Sequence, residues 1–135
     1  MTQEEKDLLL KDLCARLPYG VCYEHFNWDD EYGEDCIAAQ IYSINPDGYV
    51  KNCYDETTVY IDNVCPYLFP LSSMTEEQQK EFDQLIGLEL KAINDEIAHT
   101  QVTAFEVDFY NKNHFDYRGL IPMGLAIDAT GLNIY

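Results

Sequence analysis

The sequence predicts an α+β fold, with a small antiparallel sheet or partly open barrel packed against an N-terminal helix and a central amphipathic helix. Three observations lead there. Apolar residues recur at helical spacing in 2–17 and again in 75–98. Residues 19–71 are instead rich in β-branched and aromatic residues, punctuated by turn signals. A length of 135 residues without a linker, repeat or low-complexity run suits one domain over 1–135.

Thr2 followed by Glu5 fits a capping box, and Glu4, Glu5 and Asp7 favour the positive end of the helix dipole. Leu9, Leu10, Leu13, Cys14 and Leu17 form its apolar stripe, and Pro18 stops it. Strands are expected over 19–26, 36–44, 49–54 and 57–61, with Asn45-Pro46-Asp47-Gly48 turning the second into the third. Pro66-Tyr67-Leu68-Phe69-Pro70 reads as extended chain leaving the sheet, because two prolines four apart argue against a central strand. Thr75 with Gln78 makes a second capping box, although Ser72 or Ser73 also suits the cap. Phe82, Leu85, Ile86, Leu90, Ile93 and Ile97 make a stripe whose helix should end near 98–100. Thr103 with Glu106 favours a short helix over 104–112, a segment that also tolerates a strand reading. Leu125 to Asp128 closes the fold.

Charge excludes several classes of function. There are 25 Asp+Glu against 8 Lys+Arg, for a net charge of -17. Contact with a phosphate backbone needs cations, so direct nucleic-acid binding is not expected. A hydrophobic content of 47% is too high for a disordered acidic tail. No apolar run approaches the roughly 18 residues of a membrane span. The acidic start, Met-Thr-Gln-Glu-Glu, differs from a basic secretory signal, so a cytoplasmic protein is expected. Cys14, Cys22, Cys36, Cys53 and Cys65 form no CxxC pair and are read as free, buried thiols.

Three blocks carry a resemblance. They are Leu10-Lys11-Asp12-Leu13-Cys14-Ala15-Arg16-Leu17-Pro18-Tyr19-Gly20-Val21, then Pro66-Tyr67-Leu68-Phe69-Pro70-Leu71-Ser72-Ser73-Met74-Thr75-Glu76-Glu77, then Asn113-His114-Phe115-Asp116-Tyr117-Arg118-Gly119-Leu120-Ile121. Together they resemble small uncharacterised proteins of Bacteroidales phages and mobile elements. The resemblance implies a setting, a bacterial host cell carrying a mobile element, and no particular activity.

Two constellations stand out. His114, Asp116, Tyr117 and Arg118 fall within five residues. They suit a phosphate or carboxylate through Arg118, or a metal through His114 and Asp116. The structural alternative pairs Arg118 with Asp116 or an acidic helix. The second is an acidic aromatic stretch comprising Tyr23, Trp28, Asp29, Asp30, Glu31, Tyr32, Glu34 and Asp35. Residues 17–50 hold seven acids and no Lys or Arg. This stretch lacks the glycine and terminal glutamate of a calcium loop, which leaves a solvated loop or a surface for a basic partner. Eleven tyrosines add contact area, and alternation along strands should turn some of them outward.

No nucleophile elbow, P-loop, dinucleotide fingerprint or zinc-protease motif is present. The expected function is therefore non-catalytic, without a cofactor or metal. It is binding of a basic host protein through an acidic, tyrosine-rich surface, of which DNA mimicry or anti-defence is one form. The alternative is a small-ligand or nucleotide-signal binder using Arg118 with Lys112 or Arg16, for which a homo-oligomer would pool cations. A metal-assisted enzyme centred on His114 and Asp116 ranks third.

Overall fold

The structure is a computed structural model describing residues 1–27, 35–54, 57–93 and 98–135, with side chains for all of these except 26–27, 35–36, 86–93 and 98–103. Helix α1 spans Gln3–Arg16. Its box forms in both directions: the Glu5 amide donates to Thr2 Oγ1 at 3.1 Å and the Thr2 amide donates to Glu5 Oε2 at 2.8 Å. The buried face is Leu9, Asp12, Leu13 and Arg16, so the stripe is rotated from the one expected and Cys14 is exposed. Leu17–Tyr19 tightens into a 3₁₀ turn, and Gly20 (φ 76°) lets the chain reverse into the sheet.

Strands β1 (Cys22–Asn27), β2 (Asp35–Ile44), β3 (Tyr49–Asn52) and β4 (Thr58–Tyr60) form an antiparallel meander in that order, curled into a half-barrel. The β2–β3 turn is the one expected. The Gly48 amide reaches the Asn45 carbonyl at 2.9 Å, and the Asp47 amide reaches Asn45 Oδ1 at 2.7 Å. One residue of β2 is extra, since Ile41 pairs with Asn52 but Ser43 pairs with Lys51. That bulge at Tyr42 turns both Tyr42 and Ser43 to the outer face. The inner face packs Tyr23, Ala39, Ile41 and Val50 against Leu9 and Leu13 of α1.

Tyr67–Pro70 corrects the sequence reading. It is strand β5, the middle of a three-stranded sheet, between β6 (Phe115–Asp116) and β7 (Ile127–Asp128), both parallel to it. The prolines are tolerated because they sit at its ends and serve as acceptors or fall past the last required donor. The Pro66 carbonyl accepts from Ile127, while the donors are Phe69 to His114 and Ala129 to Leu68, each at 2.8 Å. Parallel neighbours need a crossover. Helices α2 (Glu76–Ile93) and α3 (Ala98–Lys112) supply it between β5 and β6.

The Thr75–Gln78 box caps α2. The 98–100 segment expected to end this helix instead begins α3, so positions 103 and 106 lie within a helix and not at its start. The helical reading of 104–112 holds. α2 lies principally on α3, through Phe82 against Phe109 and Tyr110, and α3 in turn meets β6. The expected α+β class, with its N-terminal helix, curled antiparallel sheet and further helix, is present, and within it α2 rests mainly on α3. No helix among the described residues is long and apolar enough to cross a membrane.

Candidate functional site

The 114–118 cluster converges on the end of α1. Asp12 and Arg16 are four residues apart on the buried face, and both are 0% exposed. Arg16 Nε donates to Asp12 Oδ2 at 2.7 Å and Nη2 to Asp12 Oδ1 at 3.3 Å. Nη2 also donates to the Phe115 carbonyl at 2.6 Å. Arg118 Nε donates to Asp12 Oδ1 at 3.2 Å. Of the structural partners considered for Arg118, it takes the acidic helix and not Asp116. Tyr117 lies beneath both guanidiniums, at 5.1 Å from Arg16 and 5.0 Å from Arg118, and stacks on Tyr110. Asp116 is occupied elsewhere: its two oxygens accept from the Leu120 and Ile121 amides at 2.8 and 2.9 Å, closing the turn after β6.

His114 adopts φ 61° and stacks on Tyr135 at 3.5 Å between ring centres. Burial, and secondarily the Arg16 charge, lower its pKa to about 4, so the ring is neutral at neutral pH. Tyr135 joins the two sheets. The ladder between β1 and the 65–67 segment begins with the Glu24 amide on the Cys65 carbonyl and a Tyr23–Pro66 bridge. At the next position the Tyr135 hydroxyl enters between the strands. It accepts from the Cys22 amide at 2.9 Å and donates to the Tyr67 carbonyl at 2.7 Å. Burial raises this phenol well above the ordinary tyrosine range. Thus each of His114, Asp116, Tyr117 and Arg118 is engaged within the protein, on a framework completed by Asp12, Arg16 and Tyr135.

The acidic aromatic stretch falls mostly on undescribed positions: Trp28, Asp29, Asp30, Glu31, Tyr32 and Glu34 lie outside the described residues. Asp35 enters only as the first residue of β2, paired in register with Asn27. Tyr23 corrects the sequence reading. It is an inner-face residue, 0% exposed, because it alternates with the outward Cys22 and Glu24. Its hydroxyl accepts from Asn52 Nδ2 at 2.9 Å and lies 3.2 Å from His25 Nδ1.

Exposed aromatic area sits instead on the outer face of the four-stranded sheet and in the turn that follows β3. Tyr42 is 65% exposed, Tyr49 is 49%, and Tyr54, just beyond β3, is 63%. Tyr49 pairs across strands with Tyr60 and makes an edge contact with it at 5.3 Å. Lys51 lies on the same face between Ser43 and Thr58, with Glu24 on β1 and exposed Asp47 in the β2–β3 turn at its margins.

The described cysteines are free, yet none is buried: Cys14 and Cys53 are exposed and Cys22 and Cys65 intermediate. This departs from the buried thiols expected, since Cys22 and Cys53 fall on the outer sheet face and Cys14 on the wet side of α1. Among the described residues no group of three or more His, Cys, Asp or Glu side chains is placed to hold a metal ion.

Asp12 was legible as a partner through its i, i+4 spacing to Arg16 within the Leu9–Leu13 stripe. Tyr135 carried no such signal, because its partners lie 68 and 113 residues away. Comparisons with protein-family models, curated proteins and solved structures give no match.

Proposed function

We propose that this is a non-catalytic binding protein of a mobile element that engages a basic protein of its bacterial host through an acidic, tyrosine-rich surface. One observation carries the reading: Tyr42 and Tyr49 expose their rings on the outer sheet face, and Tyr54 in the turn after β3, in a chain of net charge -17. Exposed tyrosines supply contact area at small entropic cost. A strong net field of one sign steers a partner of the other sign. The nucleotide-signal alternative has less support, since Arg16 and Arg118 are already shared around Asp12 and Lys112 faces Glu81 at 3.9 Å.

The test is affinity capture from bacterial lysate with the wild-type chain and with the triple variant Tyr42→Ser, Tyr49→Ser, Tyr54→Ser. The expected result is a basic protein held at low salt, released at high salt, and lost with the triple variant. Recovery of no basic partner, or capture indifferent to salt, would overturn the proposal.

A further inference from the structure

We infer that the outer face of the β1–β4 sheet and the turn after β3 take an arginine-bearing segment of the partner, with guanidinium groups stacked on the rings of Tyr42, Tyr49 and Tyr54. This rests on the binding reading above and specifies both its surface and its partner chemistry.

The argument begins with how this chain uses its own cations. Lys6 lies over the Tyr60 ring at 5.3 Å, and Arg16 and Arg118 lie over Tyr117. Three of its eight Lys and Arg are thus seated on tyrosine faces. The rings of Tyr42, Tyr49 and Tyr54 point to solvent with no such cation over them among the described residues. The ring quadrupole attracts a cation placed over its face, and a planar guanidinium stacks there better than an ammonium.

The geometry of the face fits that chemistry. The bulge sends Tyr42 outward from β2, onto the face that also carries the Tyr49–Tyr60 pair of β3 and β4. Glu24 and Asp47 supply negative charge at the margin. Lys51 lies within this face, with Lys6 over Tyr60 at its edge, and Lys51 gives the inference a sign. A cationic ligand is repelled by Lys51, whereas an anionic ligand is drawn to it.

The experiment is titration of a labelled nona-arginine peptide, with nona-lysine and nona-glutamate of equal length as comparators. The chains compared are wild type, the triple serine variant, Lys51→Glu, and Glu76→Gln/Glu77→Gln on the remote start of α2 as a charge control. Circular dichroism verifies that each is folded. The arginine peptide should bind more tightly than lysine. Removing the three rings should weaken it by about tenfold to a hundredfold. Lys51→Glu should tighten it by about two- to fivefold, and the α2 control should change it little.

Equal affinity for arginine and lysine overturns the stacking. Arginine binding that ignores the triple variant, or that weakens with Lys51→Glu, overturns the face. Each of these leaves the broader reading standing if a basic partner is still captured from lysate. Failure of that capture removes the broader reading and this inference with it.

Discussion

Replacing Asp12 with Asn removes one negative charge from between two guanidiniums. In the folded protein Asp12 accepts from Arg16 at 2.7 and 3.3 Å and from Arg118 at 3.2 Å. Both Asp12 and Arg16 are without solvent contact, so water cannot replace the lost charge. Removing one member of a buried ion pair destabilises by about 3–5 kcal/mol, chiefly because the other charge stays buried and uncompensated. Arg16 retains the Phe115 carbonyl and the Tyr117 ring, and Arg118 is partly exposed, which favours the lower end. The expected loss is about 3 kcal/mol, or a fall in Tm of roughly 10 °C for a chain of this size. Urea unfolding followed by circular dichroism measures it, with the m-value unchanged if the native fold is kept. The double variant Asp12→Leu/Arg16→Met removes the charge together with its counter-ion. It should be about 1–2 kcal/mol more stable than Asp12→Asn, because no fully buried charge is then left uncompensated, although the Phe115 carbonyl and the partly exposed Arg118 each lose a partner. A loss below about 1 kcal/mol for Asp12→Asn would refute the reasoning. It would mean that the end of α1 is held to 115–118 by packing alone.

Three further outcomes follow from the same geometry. Tyr135→Phe keeps the ring stacked on His114 but removes the hydroxyl joining Cys22 to Tyr67, and should lower stability by about 1–3 kcal/mol in chemical denaturation. Amide exchange at Cys22 should rise selectively, and unchanged protection there would contradict the bridging role. His114 protonates near 4 in the folded chain but near 6.5 when unfolded, so the unfolded state binds the extra proton first. Its contribution is complete above about pH 6.5 and is lost as pH falls toward 4, by at most about 3 kcal/mol and less for its partial exposure. His114→Asn, which suits the left-handed backbone, should flatten the stability profile between those values relative to wild type, and parallel profiles would count against the assignment. Gly48→Ala should destabilise by about 1–3 kcal/mol, since φ is 91° and an added Cβ would meet Ile61 and Tyr60 carbons at 3.3 Å. A Tm equal to wild type would show that the turn relaxes freely.

Much of the local structure was readable from short-range chemistry. The Thr2–Glu5 and Thr75–Gln78 caps and the Asn45–Gly48 turn each depend on residues within four positions of one another, and each formed as expected. The misreadings concern partners distant in sequence. Pro66 and Pro70 speak against a central strand, but Pro66 and Leu68 meet the β7 side through their carbonyls and the amide given to the β6 side is that of Phe69. The α2 stripe announced a buried face without saying which surface would bury it, and its Phe82 packs against Phe109 and Tyr110 of α3. Tyr23 is close in the chain to the acidic stretch, whereas strand alternation places it inside, against Asn52 and His25.

By itself the sequence determined the class of fold, the caps and turn, the meander from β1 to β4, and the net charge that a partner must meet. These follow from periodicity, capping and composition, which act over a few residues or over the whole chain at once. Only the tertiary structure decided that Arg118 and Arg16 share Asp12, that Tyr135 joins the two sheets, and that Tyr42 and Tyr49 are exposed on one sheet face. Those relations arise from register, a single bulge and contacts more than sixty residues apart, where sidedness is set by which surfaces exclude water.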